Sequence, residues 1–172
     1  MNEQHVWQML DGLGTSLQLT AASLVVGCLL ALMMTLTLIL RTPGLHWVSR
    51  GIITLFTGTP LLVQIFLVYY GPGQFDVVRE SVFWTWLSQP WFCAMLALAL
   101  NTAAYSTQLF KGAFNEIPSG QWQACRALGM NKAATLKVLL PYAIRRAVPA
   151  YSNEVILAVS YTHLTLPTIP GV

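Results

Sequence analysis

The stretch LQLTAASLVVGCLLALMMTLTLIL, residues 17–40, is 24 residues long and contains no charged side chain. A helix rises about 1.5 Å per residue, so this stretch would reach roughly 36 Å, more than the roughly 30 Å hydrocarbon core of a bilayer. A soluble domain has no reason to keep a helix apolar on every face over that length. The stretch therefore predicts a membrane span, and lipid is the solvent in which the chain must be interpreted.

The composition and three further apolar runs extend this prediction to the whole chain. Hydrophobic residues make up 55% of the 172 residues and charged residues only 9%, against about a quarter charged in soluble domains. The further runs are 52–70, interrupted by Gly58-Thr59-Pro60, then 91–110, and then 147–159. The last run reaches only about 20 Å. We predict an all-α, polytopic membrane protein with four spans present at least in part.

The basic residues predict the orientation of these spans. Eight of the nine Lys and Arg residues lie in or beside the segments 41–51 and 111–146, and only Arg79 lies in the segment between the second and third runs. The positive-inside rule therefore assigns both basic loops to the cytoplasm and the N-terminus to the outside. The net charge of +3 reflects this topology and does not indicate nucleic-acid binding.

The segment 111–146 is too polar to span a membrane and contains strong helix signals. Ser119, in the turn Pro118-Ser119-Gly120, is predicted to cap a short helix that continues to Leu128. Gly129 is predicted to end this helix, because glycine tolerates a left-handed backbone. The helix is expected to expose Trp122, Ala124 and Cys125 for docking into a groove of a soluble partner.

A second helix is predicted to follow directly. Asn131 can cap a helix over 132–140, and Pro141 is expected to end it before the next span begins. The prediction is thus a helix, a sharp turn and a second helix at the cytoplasmic face.

These residues resemble the "EAA" loop of the permease subunits of bacterial ATP-binding-cassette importers. In that loop, Glu-Ala-Ala precedes a glycine and a Leu-Pro ending, and this chain keeps Ala124, Gly129 and Pro141 at the family spacing. Gln123 replaces the family's Glu, which removes a charge, and Cys125 replaces its second Ala. The resemblance implies that Gln123, Ala124, Cys125, Gly129 and Pro141 dock an ATPase.

Further motifs are similar to the polar amino-acid uptake branch of this family. They are TGTPLLVQ at 57–64, NTAAY at 101–105 and PAYSNEV at 149–155, while GPGQF at 71–75 is similar to the arginine importers. The resemblance covers roughly residues 13–159 and implies transport by alternating access in the bacterial inner membrane. Its implied partners are a second permease chain, identical or related, paired ATPases and a periplasmic amino-acid-binding protein.

The resemblance also implies where the nucleotide binds. The sequence contains no Gly-x-x-x-x-Gly-Lys-Ser/Thr phosphate loop. ATP and its Mg are therefore expected on the partner ATPase, and this chain is expected to bind no cofactor and to catalyse no reaction itself.

Six residues are candidates for the substrate pathway. Glu154 lies in an apolar run, where an unpaired charge is costly. It either contacts a cationic substrate such as arginine, or it is a helix-end glutamate that pairs with Arg145 or Arg146 or sits near the surface. The amides can hydrogen-bond substrate or bridge helices, and the helix break is a pathway hinge or a packing kink. The amides are Asn101, Gln108 and Asn153, and the break residues are Gly58 and Pro60.

The sequence argues against two other functions and contains a boundary near its C-terminus. The three histidines are scattered and no catalytic motif is present, which argues against a membrane enzyme. A stand-alone secondary transporter or channel usually carries several intramembrane charges, whereas this chain carries one glutamate there. The motifs that resemble the family do not continue after about residue 159, so we predict a permease domain over 1–159, incomplete at its C-terminus, and a foreign tail over 160–172.

Overall fold

The computed structural model describes residues 3–40 and 43–165 of the chain. All regular structure in these ranges is helical, which confirms the predicted fold class. The helices are α1 (Glu3–Leu40), α2 (Leu45–Gly58), α3 (Leu61–Tyr70), α4 (Asp76–Arg79), α5 (Trp84–Leu87), α6 (Pro90–Asn115), α7 (Ser119–Ala127) and α8 (Lys132–Thr165), with a 3-10 turn at Pro72–Gln74.

Only part of the predicted membrane topology is visible from hydropathy. Within the described residues one helix is long and apolar enough to cross a bilayer, Leu10–Leu40, and the pair Leu45–Gly58 and Leu61–Gln74, bent by 115°, counts as a second if it is one span. Helices α6 and α8 contain polar side chains along their length. At 26 and 34 residues they reach roughly 39 and 51 Å, which is sufficient to cross.

Helix α6 packs directly along α1, and the two helices run in the same direction. Leu19 in the N-terminal half of α1 packs on Ala94 and Leu98, whereas Ile39 packs on the cluster around Phe114. The α1 face towards the protein is made of small side chains. Its buried members include Ser16, Thr20, Ser23, Ala31 and Thr35.

Gly27 marks the closest approach of α1 and α6. A Cβ atom there would lie 2.9 Å from the carbonyl oxygen of Ala99 and 3.0 Å from the Cβ of Thr102. Beyond it, the Thr107 hydroxyl lies 2.6 Å from the Ala103 carbonyl oxygen and 3.4 Å from that of Ala31 on α1. Small residues allow backbones to approach closely, which matters in lipid because no hydrophobic force drives helices together there.

Helix α8 returns antiparallel to α6. Tyr151 stacks on Phe110 with ring centroids 5.7 Å apart, and Leu139 is buried in the cluster with Phe114. Tyr161 packs at the other end, beside Leu19. The segments that follow α1 and α6 therefore lie at the same end of the bundle, which is the arrangement that the predicted orientation requires.

Several predicted helix boundaries are wrong. Helix α8 continues through Pro141 and Pro149, although Pro141 was expected to end a helix and a separate span was expected over 147–159. Each proline removes one hydrogen bond to the carbonyl four residues earlier. Those carbonyls belong to Lys137 and Arg145, both exposed, while packing of the opposite face holds the helix together.

The predicted boundary near residue 160 does not coincide with the end of a helix. Helix α8 passes this position and ends at Thr165. The remainder of the predicted tail, which contains Pro167 and Pro170, lies outside the described residues. The separate origin of residues 160–172 stays a prediction.

The contact at Gly27 yields a test of the packing of α1 on α6. Gly27→Ala should lower the free energy of unfolding by roughly 1–3 kcal/mol, because the added methyl meets the Ala99 carbonyl oxygen and the short, β-branched Thr102 side chain. Gly12→Ala is the matched control on the same helix, since nothing lies within 4 Å of its Cβ position, and it should be neutral or stabilising by roughly 0.5–1 kcal/mol. Unfolding in mixed micelles measures both, and equal effects would contradict the close approach.

Candidate functional site

Helix α7 is held against the ends of α6 and α8 by one buried face. Cys125 is 5% exposed and belongs to a cluster with Phe114, Ile117 and Leu139, against which Trp122 also packs. The expectation that Trp122 and Cys125 are exposed is therefore wrong. A helix of nine residues is too short to be stable alone, so its apolar side chains are needed to fix it to the bundle.

The turn after α7 has the geometry that the sequence predicts. Gly129 has a φ of +68° and donates its N–H to the Arg126 carbonyl at 2.9 Å, while Met130 N–H reaches the Cys125 carbonyl at 3.1 Å. These two bonds, together with packing of Met130 beside Cys125, form a Schellman motif. The predicted role of Gly129 as a helix stop is confirmed.

The two helix starts behave differently. Asn131 Oδ1 accepts the N–H of Ala134 at 2.8 Å, so the predicted cap of the following helix is confirmed. Ser119 does not cap α7, because it is the first helical residue and Pro118 occupies the capping position without a side-chain bond. Pro118, with φ −55° and ψ 136°, is the last residue before the helix, so α7 begins one residue earlier than a cap at Ser119 predicts.

Three of the five predicted docking residues, Ala124, Cys125 and Pro141, line an open groove between α7 and α8, whereas Gln123 and Gly129 do not. Gln123, Ala124, Gly129 and Pro141 are exposed, and Cys125 forms part of the floor. The groove has a volume of about 630 Å³ and a mainly apolar lining, which includes Ala124, Leu128, Val138, Pro141, Tyr142 and Arg145. Leu128 and Val138 are 78% and 56% exposed, so the groove presents apolar surface at the outside of the bundle.

One ion pair connects α8 to the end of α6 beside this groove. Arg146 lies 3.5 Å from the Glu116 carboxylate and donates to the Tyr142 hydroxyl at 3.3 Å. That hydrogen bond and the neighbouring charges raise the pKa of the Arg146 guanidinium above its ordinary value. Arg146 is therefore charged at any physiological pH.

Glu154 is buried in the middle of α8, with 8% of its surface exposed. The described residues contain two ion pairs, Arg79 with Asp76 and Arg146 with Glu116, and Glu154 belongs to neither. Its predicted alternative as a partner of Arg145 or Arg146 is wrong, since eight or nine helical positions separate them, roughly 12–13 Å. Such a group needs a cation or a proton from outside the described residues.

The other predicted pathway residues do not gather around Glu154. Asn153 and Gln108 are exposed on the outer surfaces of α8 and α6, and Gly58 and Pro60 lie at the bend between α2 and α3. Asn101 is 6% exposed and its amide donates to the Gln64 oxygen at 3.0 Å. The bend is confirmed, whereas the six residues do not form a single site within this chain.

Sequence reasoning missed two polar residues, Gln64 and Ser106. Gln64 lies at the end of the TGTPLLVQ motif, where its polarity within an apolar run was the available signal. Ser106 is fully buried, and its hydroxyl has no hydrogen-bond partner in the part of the chain that the structure describes. The antiparallel register fixed by Phe110 and Tyr151 puts Ser106 at about the level of Glu154.

Comparison with known proteins identifies the class to which this fold and groove belong. Residues 23–169 match the family described as "Binding-protein-dependent transport system inner membrane component". This match covers most of the chain, and the chain therefore belongs to that family of membrane transport components. It is the non-catalytic membrane part of such a system.

Individual relatives are close in sequence and in structure. The chain is 58% identical to the arginine ABC transporter permease protein ArtM of Escherichia coli strain K12, over 94% of this chain and 73% of the relative. It is 52% identical to ArtM of Haemophilus influenzae, over 95% of this chain and 72% of the relative. A crystal structure of an amino acid ABC transporter with histidines superposes with a TM-score of 0.81 at 27% identity, covering 94% of this chain and 72% of that chain.

The burial of Cys125 beside the exposed Ala124 gives a direct test of how α7 is seated. In detergent, with Cys28 and Cys93 replaced by serine, Cys125 should react with a maleimide at least tenfold more slowly than a cysteine introduced by Ala124→Cys in a Cys125→Ser background. Thiol reaction needs access to the thiolate. Equal labelling rates, followed by mass spectrometry, would show that α7 is not packed through Cys125.

Proposed function

We propose that this chain is the permease subunit of an ATP-driven importer for a basic amino acid, with arginine as the first candidate. The observation that supports the substrate class is Glu154, a buried carboxylate that belongs to neither ion pair of the described residues. The names of the two arginine permease relatives agree with this chemistry. The family match favours binding-protein-dependent transport over a stand-alone transporter or channel.

We propose that α7 and the groove beside it dock the ATPase, which binds ATP and Mg. The support is a helix with one face anchored in the bundle and the other exposed, next to an apolar groove of about 630 Å³. Gln123 and Ala124 would contact the partner directly. Cys125, Gly129 and Pro141 would act by fixing the position of α7, the turn and the groove wall.

The docking proposal is tested by replacing Gly129. Gly129→Arg should abolish co-purification with the ATPase, because the Cβ atom of a long side chain strains a backbone with positive φ and displaces α7. Gly129→Asn is the matched control, since asparagine tolerates this conformation, and it should retain at least half of the association. Pull-down from solubilised membranes measures both. Intact association of the Gly129→Arg variant, with membrane insertion unchanged, would contradict the proposal.

The remaining pathway residues fit a site completed by a second permease chain. Asn153 and Gln108 are exposed on α8 and α6, where an identical or related chain could cover them. Ser106 offers a free hydroxyl at the level of Glu154.

We propose that a periplasmic binding protein delivers the amino acid and that the N-terminus is periplasmic. This orientation puts the end of the bundle that carries Arg126 and Lys132 in the cytoplasm.

The role of Glu154 is tested with a pair of ligands that differ in charge. Glu154→Gln should weaken binding of L-arginine about tenfold, roughly 1.4 kcal/mol, and leave binding of the neutral analogue L-citrulline unchanged. Glu116→Gln removes an exposed carboxylate (59% exposed) and should change neither. Calorimetry on the assembled transporter in nanodiscs measures all four values. An equal loss for both ligands would indicate a packing role instead.

A further inference from the structure

The bend between α2 and α3 leaves backbone carbonyls that helix geometry cannot satisfy. Helix α2 ends at Gly58 and α3 begins at Leu61, and Pro60 between them has no N–H to donate. In lipid, such carbonyls must find partners within the protein. The Thr59 hydroxyl donates to the Leu55 carbonyl at 2.8 Å. The Phe56 carbonyl has no donor four residues later, because that position is Pro60, and the Thr59 carbonyl lies in the break itself.

The Gln64 side chain satisfies both of these carbonyls. Its amide nitrogen lies 2.7 Å from the Phe56 carbonyl oxygen, 2.9 Å from the Thr59 carbonyl oxygen and 3.0 Å from the Thr59 hydroxyl. An amide has two hydrogens, so one of them is shared between two acceptors. A side chain from the first turn of α3 thereby closes the end of α2.

Asn101 on α6 forms a hydrogen bond with the Gln64 side chain. Its amide nitrogen donates to the Gln64 oxygen at 3.0 Å. The two residues are 5% and 6% exposed. Carbonyls cannot donate, so the nitrogen of Gln64 must face the bend and its oxygen must face Asn101. The chemistry of the neighbours therefore fixes the orientation of both amides.

We propose that Gln64 is a positioning residue that sets the angle between α2 and α3 and, through Asn101, ties α3 to α6. The bend is then a rigid elbow rather than a free hinge at Gly58 and Pro60. Asn101 supports the elbow instead of contacting substrate. The transport arm of the test rests on the proposed function, whereas the distance arm does not.

The distance arm uses spin labels on a cysteine-free chain in nanodiscs, diluted with unlabelled chain. One label pair, at Val48 and Leu67, reports the angle of the elbow, and a second, at Leu67 and Tyr105, reports the distance from α3 to α6. All three sites are exposed. Gln64→Met, which keeps the length of the side chain and removes its donors, should at least double the width of both distance distributions.

Asn101→Leu separates the two halves of the proposal. It leaves the bonds of Gln64 to the bend intact, so it should widen only the distribution between α3 and α6. Gln18→Met makes the same chemical change as Gln64→Met at an exposed position of α1 and should change neither distribution. Because Asn101→Leu is the milder change, it keeps the proposal testable if Gln64→Met does not fold.

The transport arm measures uptake of L-arginine into proteoliposomes with the ATPase and binding protein. A positioning role predicts that Gln64→Met lowers turnover at least tenfold and changes KM less than twofold. Unchanged distance distributions would overturn the proposal, and so would a raised KM with unchanged widths, since that result indicates substrate contact. If the wild-type chain does not transport arginine, the proposed function fails while the distance arm still decides the role of Gln64.

Discussion

The close contact of α1 with α6 at Gly27 is the constraint on which the rest of the structure depends. Apolar side chains gain no hydrophobic free energy when they leave lipid, so the two helices associate through van der Waals contact between their backbones. Small residues at the contact permit this close approach. This contact makes α6 the central helix, because its remaining surface then receives α3 on one side and α8 on another. The positions of Asn101, Phe110 and Phe114 follow from that arrangement.

Helix α7 and the turn after it, residues 119–131, are held by local backbone and capping interactions. Its turn depends on the positive φ of Gly129 and on the Asn131 cap, both of which are local and act in water. Its orientation relative to the membrane depends on Cys125, which is buried in the bundle. The segment therefore joins a locally determined turn to an anchor in the bundle, and this combination leaves one face of a nine-residue helix exposed.

Local signals in the sequence were sufficient where structure is decided locally. The apolar run of 17–40, the break at Gly58 and Pro60, the turn at Gly129 and the cap at Asn131 follow from rules that involve neighbours in the chain. Pro141 and Cys125 were misjudged because tertiary packing decides them: contacts of α8 with α6 hold a helix that contains proline, and the bundle buries a thiol. Gln64 and Asn101 are 37 positions apart, and their bond requires the packed helices to be known.

The unbroken course of α8 has a mechanical consequence. Between Lys132, beside the aqueous turn, and Glu154, deep in the bundle, the chain contains no loop, and the separation along the helix axis is roughly 33 Å. Movement imposed at one end of this helix is passed to the other as tilt, rotation or translation, apart from what bending at Pro141 and Pro149 absorbs. The exposed start of α8 at Lys132 and the buried carboxylate of Glu154 therefore belong to one continuous helix, so a displacement of the first changes the electrostatic surroundings of the second.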